Sequence, residues 1–91
     1  MGDGRPLVSV IIPNWNGAQH LPDCLESLRR QTYAPLEVLV VDNGSEDGSL
    51  ALLAADFPEV RTLALGQNRG FAGACNAGMS AAPGDVLVLL N

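Results

Sequence analysis

The stretch LVSVIIPNWNG, residues 7–17, decides the fold. Its first six residues are mostly apolar and β-branched, on both faces, a pattern typical of a strand that is covered on both sides of a sheet. We expect Pro13 to end this strand, and the polar and small residues after it to form a loop. A strand buried on both faces indicates a parallel sheet with helices above and below it.

Outward from this stretch, strand-like and helix-like segments alternate. A helix follows the first strand, with an apolar face made of Leu21, Cys24, Leu25 and Leu28. Three more strands are expected at residues 38–41, 60–65 and 85–90. A second helix, capped by Asp47 or Ser45, should bury Leu50, Leu53, Ala54 and Phe57. Residues 71–82 form a third helix, in which small residues allow close packing on the sheet. The order βαβαβαβ predicts an open, parallel α/β fold.

Composition excludes several classes of protein. The chain has 91 residues, of which 47% are hydrophobic and 16% charged, so it is not a disordered polymer. Its net charge of −5, with no lysine, disfavours binding to nucleic acids or to anionic membranes. No apolar run is long enough to span a bilayer, and the first residues carry no apolar signal core. Cys24 and Cys75 lack metal-type spacing, and we expect both to be reduced thiols of a cytosolic protein.

The fourth predicted strand raises a question of domain organisation. It is as apolar as the first, yet no residue follows Asn91 to cover it. We therefore expect residues 1–6 to be a flexible tail and residues 7–91 to be the first part of a larger domain, cut after the fourth strand. The alternative is a self-sufficient domain of four strands.

Polar and small residues follow each predicted strand. In open parallel sheets, ligands bind beyond the carboxyl ends of the strands, which makes these residues candidates for a nucleotide site: Pro13, Asn14, Trp15, Asn16, Asp42, Asn43, Asn68, Arg69, Gly70 and Phe71. The Asp42 carboxylate can accept hydrogen bonds from a base or a ribose, and Arg69 can offer a cation to a diphosphate. Gly70 and Gly73 would let the start of the third helix approach phosphate.

Other interpretations of these residues stay open. Asn, Asp and Gly are also ordinary turn formers. Asp85 should lie at the opposite end of the sheet, and His20 has no evident partner for catalysis. The glycine-rich dinucleotide fingerprint, the P-loop and the nucleophile elbow are all missing, so those three classes are disfavoured.

The order of motifs resembles the start of the family 2 glycosyltransferases. The matching segments cover nearly the whole chain after the tail: residues 8–17, 21–28, 40–49, 68–76 and 88–91. The sequences NWNG and DNGS look most like the rhamnosyltransferase-like branch. This resemblance implies a GT-A fold with strand order 3-2-1-4 and a ligand crevice between strands one and four, whereas a flavodoxin-like domain would place the third strand beside the first.

The resemblance also implies a function. It is an inverting transfer of a sugar from a nucleotide-diphosphate donor to a hydroxyl of a glycan or lipid-linked acceptor, in bacterial cell-surface polysaccharide or glycan synthesis. The ten residues named above would bind the nucleotide-sugar, and a motif just after Asn91 would bind Mg²⁺ or Mn²⁺. We expect a cytoplasmic place at the inner face of the membrane, with peripheral association through later segments.

No catalytic residue or metal ligand is expected within the chain, so these 91 residues alone should be inactive. The alternative function is a non-catalytic nucleotide-binding module.

Overall fold

The computed structural model describes residues 4–90 and has seven elements: β1 (Val8–Asn14), α1 (Leu21–Arg30), β2 (Leu36–Asp42), α2 (Ser49–Asp56), β3 (Arg61–Ala64), α3 (Gly70–Ala81) and β4 (Val86–Leu89). The strands form one sheet in the order β3-β2-β1-β4, and every pair is parallel. The fold class and the strand order are therefore confirmed. Asn91, expected at the end of the fourth strand, lies outside the described residues.

The two faces of the sheet carry separate cores. On one face, Val10, Ile12 and Val40 pack against α1 and α2. On the other, Ile11, Leu39 and Val41 pack against α3. Because successive side chains of a strand point to opposite faces, a strand with helices on both sides must be apolar throughout, which explains why β1 and β2 lack polar alternation.

α3 approaches the sheet closely at Gly78. A Cβ atom there would lie 2.5 Å from Ile11 Cγ2 and 2.8 Å from Val41 Cγ2, too close for any side chain without a shift. The expected close packing of small residues is thus confirmed at Gly78 and at the fully buried Ala74. Gly73 differs, since a Cβ there would meet the Arg69 side chain instead of the sheet.

The expectation that Pro13 ends the first strand is wrong. β1 continues through Pro13 to Asn14, paired with β2 as far as Asn14↔Asp42, whereas its pairing with β4 stops at Ile11↔Leu89. The carbonyl of Asn14 accepts from Asn43 N on the β2 side, and that of Ile11 accepts from Leu90 N on the β4 side. Alternation puts Pro13 on the β4 side, where pairing has ended and the missing N–H is tolerated.

The predicted inner face of α2 is only half right. Leu53 and Phe57 are buried, but Leu50 and Ala54 are exposed, and Ser49 is buried in their place. The helix starts at Ser49 after a left-handed Gly48, and Asp47 accepts from the backbone N–H of Ser49. The expected cap at Asp47 or Ser45 is therefore wrong: Gly48 is the N-cap residue and makes no side-chain cap bond, while Asp47, one residue earlier, binds the first N–H of the helix. The other boundaries lie within two residues of those predicted.

β4 is the least covered strand. Its side chains are 40–47% exposed, and only its β1 edge is paired. Arg5 and Pro6 of the predicted tail contact the α1–β2 loop, where Tyr33 Oη donates to the Pro6 carbonyl at 2.6 Å and the Arg5 guanidinium lies 5.8 Å from the centre of the Tyr33 ring. Cys24 and Cys75 are free thiols. No helix among residues 4–90 is long and apolar enough to cross a bilayer.

Candidate functional site

The loops after β1, β2 and β3 meet at the carboxyl end of the sheet. A buried contact joins the first two strands there: Asn14 Nδ2 donates to Asp42 Oδ1 at 3.0 Å and to Ser45 Oγ at 3.3 Å. The second oxygen of Asp42 accepts from the backbone N–H of Ser45 at 2.9 Å. Both carboxylate oxygens are thus occupied, as a buried carboxylate requires.

A second set of bonds joins the β1–α1 loop (residues 15–20) to the β2–α2 loop (residues 43–48). Asn16 adopts a left-handed conformation with φ 52°, which asparagine tolerates better than most residues. Its N–H donates to Ser45 Oγ, and its Oδ1 accepts from Glu46 N, each at 2.8 Å. Asp47 accepts from Ala18 N at 2.9 Å. The Ser49 hydroxyl, with this amide, holds the pKa of the Asp47 carboxyl below its ordinary value.

The β3–α3 loop (residues 65–69) is attached through Asn43, which is only 5% exposed. Its Oδ1 accepts from Arg69 N at 2.8 Å, while its Nδ2 donates to Gly70 O at 3.1 Å and to Asn68 Oδ1 at 3.2 Å. Gly44 lets the loops touch, because a Cβ there would lie 2.8 Å from the Gln67 backbone. We call the side chains that join the three loops the polar rim: Asn14, Asn16, Asp42, Asn43, Ser45 and Asn68.

A cavity of about 420 Å³ lies beside the polar rim. Two exposed aromatic side chains belong to its wall, Trp15 from the β1–α1 loop and Phe71 from the first turn of α3, at 57% and 58% exposure. Six of the ten candidate residues line the cavity: Pro13, Asn14, Trp15, Asn43, Asn68 and Phe71. A mostly apolar hollow with a few fixed polar groups has the features of a small-molecule site.

The other four candidates border this cavity without lining it. Asp42 is 1% exposed and lies beneath Asn14, so it is part of the floor that holds the rim. Asn16 faces the β2–α2 loop. Arg69 and Gly70 offer their backbone to Asn43. The structure thus brings all ten together at one end of the sheet, and their roles toward a ligand stay predictions.

Sequence reasoning missed several residues of the wall. Gly17, His20, Leu21 and Cys24 also line the cavity, which extends along the start of α1. The predicted topology could have identified these residues, because the start of α1 lies at the same end of the sheet as the carboxyl end of β1. Burial raises the pKa of the Cys24 thiol. The cavity is not the crevice expected between strands one and four, since no β4 residue lines it: β4 stops at Leu89, level with Ile11, while β1 continues.

The opposite end of the sheet carries ordinary structural contacts. Asp85 accepts from Leu7 N at 3.0 Å, which confirms its place away from the polar rim. Arg29 binds both oxygens of Glu59, at 2.6 and 2.9 Å, and holds the pKa of Glu59 at about 2. In the part of the chain that the structure describes, no three His, Cys, Asp or Glu side chains converge as metal ligands.

The parallel sheet of order β3-β2-β1-β4, with helices on both faces, is that of a GT-A type α/β domain. The sequence profile described as glycosyl transferase family 2 matches residues 9–91. The chain belongs to that family.

Three relatives illustrate the similarity. The mannosyltransferase PcManGT from Pyrobaculum calidifontis, solved in complex with GDP-Man and Mn²⁺, superposes with a TM-score of 0.78 at 32% identity, over 93% of this chain and 27% of that one. TarS residues 1–349 from S. aureus gives 0.81 at 27% identity, over 91% and 26%. The succinoglycan biosynthesis protein ExoO of Rhizobium meliloti (strain 1021) is 40% identical over 98% of this chain and 26% of its own length. The chain therefore spans about a quarter of the length of these relatives.

Proposed function

We propose that this chain supplies the donor-nucleotide site of a glycosyltransferase that moves a sugar from a nucleotide-diphosphate to a hydroxyl acceptor. The observation that carries the proposal is the polar rim: three loops, joined by side-chain hydrogen bonds of which Asn14–Asp42 is buried, around one cavity with aromatic walls. A site whose groups are already held in place loses little conformational entropy when it binds its ligand.

The parts of the site suit the parts of such a donor. Trp15 and Phe71 offer flat apolar faces to a base, and the amides of Asn14 and Asn68 can hydrogen-bond to it. Asp42 holds the Asn14 amide in place from below. We expect the start of α3, whose N-cap residue is Arg69, and the Arg69 guanidinium to favour the negative charge of a diphosphate.

We propose an inverting reaction for the full enzyme. The acceptor oxygen attacks the anomeric carbon, the bond from that carbon to the diphosphate oxygen breaks, and a carboxylate takes the acceptor proton. We expect this carboxylate and the metal ligands to come from the rest of the enzyme; within residues 4–90, no three His, Cys, Asp or Glu side chains converge as metal ligands. A divalent cation for the complete enzyme is supported by the Mn²⁺ in the PcManGT complex.

The resemblance supports three further predictions for the full enzyme. Its donor should carry a rhamnosyl or hexosyl group, and its acceptor should be a glycan or a lipid-linked molecule in cell-surface polysaccharide synthesis. We expect the enzyme at the inner face of the membrane. The name of ExoO, a succinoglycan biosynthesis protein, supports a polysaccharide role. We also expect no sugar transfer by these 91 residues alone, which an assay with radiolabelled donors would check.

The test is a pair of matched variants that each remove one carboxylate charge. Asp42→Asn puts an amide N–H against a donor on the rim, either Asn14 Nδ2 or Ser45 N, and should weaken nucleotide binding by about 1–3 kcal/mol. Asp85→Asn, at the far end of the sheet, should leave it unchanged. Isothermal titration of UDP, GDP and dTDP against chains of equal thermal stability measures both. Equal nucleotide affinities of the two variants would show that Asp42 is not part of the nucleotide site.

A further inference from the structure

The polar rim fixes which atom of each asparagine amide faces the cavity. An asparagine side chain has an acceptor oxygen on one side and an NH₂ donor on the other, and the two ends have nearly the same shape. If one end of the amide is held by hydrogen-bond partners within the protein, the other end is the one that a ligand contacts. Three asparagines line the cavity, namely Asn14, Asn43 and Asn68.

The orientation of Asn43 is set by backbone groups. Its Oδ1 accepts from the N–H of Arg69 at 2.8 Å, and its Nδ2 donates to the carbonyl of Gly70 at 3.1 Å. A backbone N–H can only donate and a backbone carbonyl can only accept, so the amide cannot be turned over without losing both bonds. Asn43 is buried, which makes that loss costly.

Asn43 in turn sets the orientation of Asn68. The Oδ1 of Asn68 accepts from Asn43 Nδ2 at 3.2 Å and from the backbone N–H of Gly70 at 2.7 Å. With its oxygen held by two donors, the Nδ2 group is the end that remains, and within residues 4–90 no acceptor bonds to it. Asn68 is exposed and lines the cavity, so this NH₂ group is available to a ligand.

We propose that Asn43 is a positioning residue, which together with the Gly70 N–H holds the Asn68 amide so that its Nδ2 donates to a carbonyl of the donor nucleotide's base. The inference rests on the proposed function and deepens it. It assigns base selectivity to Asn68 Nδ2, and it favours uracil, thymine and guanine, which carry an exocyclic carbonyl, over adenine, which carries none.

Two isosteric variants test this. Asn68→Asp keeps an oxygen to accept from Asn43 and Gly70, and replaces only the free donor with an acceptor. Asn43→Asp removes the side-chain donor to Asn68 Oδ1 and places an oxygen against Asn68 Oδ1 and Gly70 O, so that only the Gly70 N–H still holds the Asn68 amide. Both should weaken UDP or GDP binding about tenfold and reduce the preference for that nucleotide over ADP. Asn76→Asp, which adds the same charge at an exposed position of α3, should change neither.

The measurement uses the whole chain, with nucleotide affinities from titration calorimetry and the ¹⁵N signal of the Asn68 side-chain amide from NMR. In the unsubstituted chain, UDP or GDP should shift that signal. The loss in Asn68→Asp should be equally large for uridine, which has no phosphate for a new carboxylate to repel. If Asn43→Asp does not fold, Asn68→Asp alone decides.

Three results would overturn the inference: an affinity of Asn68→Asp or of folded Asn43→Asp within twofold of the original, an equal loss in Asn76→Asp, or a loss for UDP without one for uridine. If the unsubstituted chain binds none of UDP, GDP and dTDP, the proposed function fails and not merely the role of Asn43.

Discussion

Gly44 shows how a single residue lets two loops of the site meet. It has φ +84°, and a Cβ there would lie 2.8 Å from the Gln67 backbone. Gly44→Ala should therefore cost about 1–2 kcal/mol for the left-handed backbone and about 1–3 kcal/mol more for displacing the β3–α3 loop. Urea unfolding measures the sum, and the affinity for UDP or GDP should fall because Asn68 moves.

Gly66→Ala is the matched control for this prediction. Gly66 has φ +82° in the neighbouring loop, with no atom within 4 Å of a Cβ built there. It therefore carries the same backbone penalty without the collision. Equal losses of stability and affinity in the two variants would show that the contact between Gly44 and Gln67 does not matter.

At the residue scale, the sequence indicated which end of the sheet these side chains occupy, but not the hydrogen bonds that hold them there. Asp42 and Asn43 follow an apolar strand, so both were predicted as ligand contacts. Their partners Asn14, Asn68 and Gly70 lie 25 or more residues away in the chain. Local pattern cannot show such pairings, because they depend on the strand order and on the turns that bring the loops together.

At the scale of elements, the contact of α3 with the sheet depends on Gly78. Gly78→Ala should destabilise the chain by about 1–3 kcal/mol through overpacking against Ile11 and Val41. This loss should occur although alanine is the better helix former. Ser80→Ala, at an exposed position of the same helix, should be neutral or slightly stabilising in urea unfolding. If Gly78→Ala were as stable as Ser80→Ala, helix propensity and not packing would govern this element.

α1 is joined to the α2–β3 loop by the pair Arg29–Glu59. The folded pKa of Glu59 is about 2, below its ordinary 4.5, chiefly because Arg29 hydrogen-bonds to it. A lowered carboxyl pKa contributes stability that is fully present above pH 4.5 and is lost as the pH falls towards 2. Glu59→Gln should reduce this loss of stability in unfolding curves measured between pH 4.5 and pH 2. Glu46→Gln removes the same charge from the β2–α2 loop and should leave the loss unchanged. An unchanged loss of stability in Glu59→Gln would contradict the prediction.

The elements themselves were predictable, and the errors have physical causes. Proline usually ends a strand, but the missing N–H of Pro13 lies on the side where β4 has already stopped. Leu50 is apolar and at helical spacing, yet the left-handed Gly48 sets the start of α2 so that Ser49 faces inwards. Both outcomes depend on a neighbour that a single-sequence pattern does not contain.

At the scale of the whole molecule, β4 presents an apolar edge. An exposed, unblocked edge strand is a template for pairing with another chain, so this chain should self-associate as its concentration rises. Leu87→Lys should reduce that association in sedimentation experiments. Leu50→Lys changes the charge equally at a side chain of equal exposure, 40% in both cases, on α2. Equal effects of the two lysines would assign the association to net charge instead of the sheet edge.

The strand order and the family followed from the resemblance, and both are confirmed. The ligand crevice expected between β1 and β4 stays a prediction. The cavity beside the polar rim lies along the start of α1, and no β4 residue lines it. β1 continues to Asn14, beyond its last pair with β4 at Ile11↔Leu89, and such a difference in strand length depends on register, which a local pattern does not contain.

The most direct test is a backbone ¹H–¹⁵N NMR titration of the chain with UDP and GDP. A nucleotide held by the polar rim should shift the amides of residues 14–20, 42–46 and 67–71 at the carboxyl end of the sheet. It should leave residues 33–35, 58–60 and 83–85, at the other end, unmoved. Shifts centred on those distant turns, or no shifts with either nucleotide, would contradict a donor-nucleotide site at this end of the molecule.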